Sequence, residues 1–96
     1  MKKIRTNIII SGRVQGVCYR QCTFQKAVEL GLKGWVRNLT SGQVEAVFEG
    51  EEHLVNQMIE WCKEGPTMAR VTNIEVDKQQ CLDSFSDFRI KSTFGW

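Results

Sequence analysis

The chain of 96 residues carries 13 Lys and Arg against 11 Asp and Glu, a formal charge of +2, with 42% hydrophobic and 25% charged residues. So short a chain has apolar residues for only one dry core, which excludes a two-domain organisation and predicts a single domain over residues 1–96. The composition is that of ordinary globular proteins, not of a disordered tail or a polybasic nucleic-acid arm, and no apolar run nears the roughly 20 residues that cross a bilayer.

Ile4, Thr6, Ile8 and Ile10 alternate with Arg5, Asn7 and Ser11, a period of two that predicts a strand. Residues 12–19 interrupt it. The spacing of Phe24, Ala27 and Val28 predicts one apolar helical face over residues 20–30, with Gly31 at the left-handed position that commonly ends a helix. Thr40, Ser41 and Gly42 suit a hairpin turn between a strand with Trp35 and Val36 and a strand with Val44, Ala46 and Phe48 facing inward. Gln43, Glu45 and Glu49 are expected to face water. Leu54, Val55, Met58, Trp61 and Cys62 then follow helical spacing, with Glu51 and Glu52 in the first turn and Gly65-Pro66 as the stop. Val71, Ile74 and Val76 predict a strand whose skip between 71 and 74 reads as a bulge, and Phe88, Ile90 and Phe94 predict a last one. The order matches the split βαβ pattern of ferredoxin-like domains. The expected fold is therefore an α+β sandwich, an antiparallel sheet with two helices on one face.

Behind Lys2, Lys3 and Arg5, the Ile8-Ile9-Ile10 run is shorter than the roughly 7 to 15 residues of a signal-peptide apolar region, so the expected compartment is the cytoplasm. There the four thiols of Cys18, Cys22, Cys62 and Cys81 are expected to stay reduced. Cys18 and Cys22 are separated by three residues, but no second close pair follows and the lone His53 lies far along the chain, so no metal is expected. His53 reads as a surface residue, and Trp35, Trp61 and Trp96 as packing residues or a loose terminus.

The segment from Gly12 to Arg20 joins the first strand to the first helix, and its two glycines permit a curled backbone. Successive amides of a curled loop beside a helix N-terminus form a concave anion site, to which Arg20 can add a bidentate guanidinium. A plain turn with solvated arginines is the alternative. The loop has neither the Gly-Lys-Ser/Thr end of a Walker A sequence nor Gly-x-Gly-x-x-Gly. Asn38, before the hairpin turn, offers an amide that can hold a water without changing charge, or can simply cap its own turn.

Gly12-x-Val14-Gln15-Gly16-Val17-x-Tyr19-Arg20 closely resembles the first signature of acylphosphatases, and Gly34-Trp35-Val36-Arg37-Asn38, with Gly42, Val44 and Gly50 beyond, resembles the second. Ala69-Arg70-Val71 and Phe88-Arg89-Ile90 are similar to the family's last strands. Tyr19 stands where the family usually has Phe, and Cys18 occupies a variable position often taken by Gly. The resemblance implies hydrolysis of the carboxyl-phosphate bond of small acyl phosphates, by a monomer without cofactor or metal. It further implies that the amides of Gly16, Val17, Cys18 and Tyr19, with Arg20, bind the phosphate and that Asn38 positions the attacking water. The chemistry is consistent with those roles, because a carboxylate is a stable leaving group and needs no general acid; what is left is to orient water and to stabilise charge on phosphoryl oxygens.

A cysteine phosphatase needs Cys-x5-Arg, but Phe24 and Met68 stand where Cys18 and Cys62 would require the arginine. RNA-recognition motifs share the element order and place aromatics on an exposed strand face, whereas the outward positions here read Gln43, Glu45, Val47 and Glu49. A non-catalytic anion-binding module would use the same loop without needing Asn38.

Overall fold

Ile4, Thr6, Ile8 and Ile10, at every second position, give the first strand one buried face. The computed structural model describes residues 2–93, in the order β1 (Lys3–Arg13), α1 (Tyr19–Glu29), β2 (Lys33–Asn38), β3 (Val44–Glu51), α2 (Glu52–Glu64), β4 (Arg70–Gln80) and β5 (Phe88–Ile90). The sheet order is β4-β1-β3-β2-β5. β3 lies between β1 and β2, which is what splits the βαβ unit, and the fold is ferredoxin-like. Ile8 pairs with Ala46, and Ala46 with Val36, so the buried residues of three strands share the face on which both helices rest. Val55, Met58 and Cys62 of α2 and Ala27 of α1 close over it. Phe48 stacks on Phe88 with ring centroids 5.6 Å apart.

The bulge expected in β4 is present. Ser11 pairs with Asn73 but Gly12 with Val71, leaving Thr72 as the extra residue. Gly12 sits there at φ 120°, and a Cβ on it would collide with the Arg70 carbonyl oxygen, so the kink requires glycine.

Three expectations are corrected. β5 pairs parallel with β2, so the sheet is antiparallel except at this edge; residues 81–87 return the chain before it enters the sheet. Phe94, assigned to that strand, and Trp96 lie outside the described residues. The inner face of α1 is Tyr19, Thr23 and Ala27, while Val28 is 54% exposed, because it lies one residue, about 100°, past that stripe. Glu49 does not face water: residues 81–87 fold back over the outer sheet face, where the Leu82 amide donates to Glu49 Oε2 at 3.2 Å and the Arg5 guanidinium lies over the Phe85 ring. Glu45 is ion-paired with Arg37 at 2.8 Å, and His53 is exposed, as expected.

Between the helices, the Tyr19 hydroxyl donates to the Cys62 carbonyl at 2.6 Å, and the Tyr19 and Trp61 rings lie 5.8 Å apart. Burial pushes the Tyr19 phenol above its ordinary pKa, and it pushes the Cys62 thiol from 9.0 up to about 12. Above pH 9 the unfolded chain releases protons that the folded chain retains, so stability is full below that pH and declines as pH rises toward 12. The urea unfolding midpoint is expected to fall across this window and to fall less steeply in Cys62→Ala. An identical slope in the variant would exonerate the thiol.

Candidate active site

The loop from β1 to α1 is anchored at both ends by large buried side chains, Val14 and Tyr19. Between them Gly16 adopts φ 74° and Cys18 φ 67°, on either side of Val17 with its ordinary negative φ. Such alternation turns successive N–H groups toward a common centre. Cys18 is the N-cap of α1 but makes no side-chain capping hydrogen bond, and the first turn contains no acidic residue to balance the positive end of the helix.

Asn38, the last residue of β2, reaches the same place from the sheet. Its position is fixed through Gln15, whose Nε2 donates to the Leu39 carbonyl at 2.8 Å and the Gln43 carbonyl at 2.9 Å, tying the loop to the hairpin turn. The result is a cavity of about 280 Å³. Gly16, Cys18, Tyr19, Arg20 and Asn38 line it, joined by Val14, Gln21 and Ile90.

Two features define its chemistry. The Arg20 guanidinium has neither ion pair nor hydrogen-bond partner among the described residues. Asn38 Oδ1 is buried and likewise unpartnered, a costly arrangement unless something enters to donate to it. Among the described residues no carboxylate or imidazole lines the cavity, and the Tyr19 phenol is turned away to Cys62. The cavity can therefore grip an anion and orient a neutral donor, and the Cys18 thiol is the one side chain among its described lining residues that could move a proton.

The expected site residues come together with one exception: Val17 packs its side chain against the core and does not line the cavity. Tyr19 presents its ring to the core, so any contribution to ligand binding comes through its backbone. Sequence reasoning missed Val14, Gln21 and Ile90 as lining residues; Val14 lies within the first motif, but nothing local marks Ile90. The four thiols do not converge. Among the described residues the one group with metal-ligand spacing is Glu49, Cys81 and Asp83, within 4.8 Å of one another at the opposite end of the strands.

The family model described as Acylphosphatase matches residues 6–90. A curated relative, the acylphosphatase of Syntrophobacter fumaroxidans, is 50% identical over 95 residues, covering 99% of this chain and 96% of the relative. Crystallised acylphosphatase from Bacillus subtilis is similar in structure, with a TM-score of 0.88 at 35% identity over 92% of this chain and 98% of its own. An acylphosphatase from Coxiella burnetii gives a TM-score of 0.88 at 40% identity over 94% of both chains.

Replacing Gln15 with Ala removes both side-chain ties to the hairpin turn, while the Leu39 carbonyl keeps the Gly42 amide and the Gln43 carbonyl keeps the Leu39 amide. The expected cost is about 1–3 kcal/mol in the free energy of urea unfolding. An unchanged unfolding curve would remove Gln15 as the strap.

Proposed function

The chain belongs to the acylphosphatase family and hydrolyses acyl phosphates, and from that premise we propose that Arg20 and the amides of residues 16–20 hold the phosphate while Asn38 orients the water. One observation carries this assignment: a guanidinium and a buried amide oxygen, neither with a partner among the described residues, share a single concavity.

The phosphate dianion lies in the curled loop, with the planar Arg20 fork on two of its oxygens and backbone N–H groups on the rest. Asn38 Oδ1 accepts a hydrogen bond from water and holds it opposite the scissile P–O bond. Attack forms the new P–O bond as the old one breaks, and the electron pair leaves on the acyl oxygen as a carboxylate. One water proton passes to a phosphoryl oxygen; the other stays on the attacking oxygen. Carboxylate and dihydrogen phosphate result, with no acid, base or metal taking part. The protein supplies positioning and fixed charge.

The proposed working unit is the monomer, a single domain over residues 1–96, because one chain furnishes every lining residue. A cytoplasmic location fits the four unpaired thiols. No helix of the described residues is long and apolar enough to cross a membrane. The RNA-binding reading is not favoured: the one large aromatic on the outer face of β2, Trp35, is already flanked by Arg37 at 5.1 Å and Lys91 at 4.8 Å.

With benzoyl phosphate as substrate, Arg20→Ala and Arg20→Lys are both expected to abolish turnover and competitive inhibition by inorganic phosphate, since a point charge does not reproduce the fork. Near-normal phosphate inhibition in either variant would refute the role. Asn38→Ala is expected to lower kcat by at least about a hundredfold at nearly constant KM; a change confined to KM would make Asn38 a binding residue instead.

A further inference from the structure

Acyl phosphate hydrolysis uses no thiol, yet two stand at the mouth of the loop. Cys18 Sγ and Cys22 Sγ are 3.4 Å apart, with the Cys22 S–H directed at the Cys18 sulfur. The Cys22 amide donates to the Cys18 carbonyl at 3.0 Å, so the two residues are separated by one helical turn. That places their Cα atoms about 6 Å apart, inside the range a disulfide spans. Cys18 is exposed and Cys22 half-buried behind it.

We propose that Cys18 and Cys22 are a redox-closable pair, oxidised by hydroperoxides to a disulfide that switches the phosphate loop off. Cys18, the exposed partner, meets the oxidant. Its thiolate attacks the peroxide oxygen, the O–O bond breaks, and Cys18 becomes a sulfenic acid as the distal oxygen leaves and takes up a proton. Cys22, deprotonated, then attacks the Cys18 sulfur and expels hydroxide, which is protonated to water. Two thiols and one hydrogen peroxide thus give one disulfide and two waters. Burial and the contact with Cys18 raise the Cys22 thiol pKa, which makes this second step faster at alkaline pH.

Closure must shorten the sulfur separation by about 1.4 Å. Cys18 cannot yield without moving the amides beside it, because it is the left-handed residue that turns the loop into α1. A misplacement of about 1 Å in a positioned site costs up to about a hundredfold in rate. This effect on activity rests on the loop being the phosphate site; formation of the bond does not.

Trypsin cleaves after Arg20, between the two cysteines, so a disulfide joins peptides 14–20 and 21–26, which otherwise separate. The purified full chain is treated with hydrogen peroxide, digested without reductant and analysed by mass spectrometry, and in parallel assayed on benzoyl phosphate. The joined pair is expected, with kcat/KM at least tenfold lower and restored by dithiothreitol. Cys22→Ser is expected to keep full activity when reduced, to give no joined pair and to resist the reversible loss. Absence of the joined pair in the parent overturns the proposal. So does an equal reversible loss in Cys22→Ser, or a joined pair with unchanged activity. In the last case Arg20→Ala separates the two failures: if that variant is inactive, the phosphate site stands and only the switch falls.

Discussion

A single side-chain amide holds two distant parts of the chain in register. Gln15 reaches from the loop after β1 to the carbonyls of Leu39 and Gln43, so the segment carrying Arg20 and the turn following Asn38 are fixed to each other. Without this tie the loop would be held only by the packing of Val14, Val17 and Tyr19, and would lose its brace to the hairpin turn that follows Asn38. Catalysis by positioning tolerates little drift, because its whole contribution lies in geometry. The site is correspondingly built on strand ends and a helix N-terminus, with the loop between them cross-braced.

Most of the fold was legible because local pattern and tertiary burial agree in it. The alternation in β1, the turn at Thr40 to Gly42 and the apolar stripe of α2 each have a period that only one face of a sheet or helix can satisfy. Even the bulge was visible, as a skipped residue between Val71 and Ile74. Expectation failed where burial comes from a segment remote in sequence. Glu49 alternates as a solvent-facing residue should, and only the return of residues 81–87 covers it. Val28 fits an apolar helical face by spacing, but α1 lies on the sheet through a stripe rotated away from it.

The same division runs through the site. Arg20 and Asn38 could be singled out because a glycine-containing strand-to-helix loop and an asparagine before a turn each suggest a chemical task, and the family resemblance joined the two. Ile90 carries no such mark. It reaches the cavity because β5 adds to β2 in parallel, a pairing that no short-range signal encodes. Val17 sits in the motif yet faces the core, since the residue between two left-handed positions points away from the centre that its neighbours surround.

Tyr19 has a double attachment. Its backbone belongs to the curled loop, while its hydroxyl is bonded to the last turn of α2 and its ring leans on Trp61. Loop posture and inter-helix packing are thus joined through one residue. If the loop holds the phosphate as proposed, affinity for that ligand and resistance to denaturation become linked quantities, and the buried side of α2 bears on both.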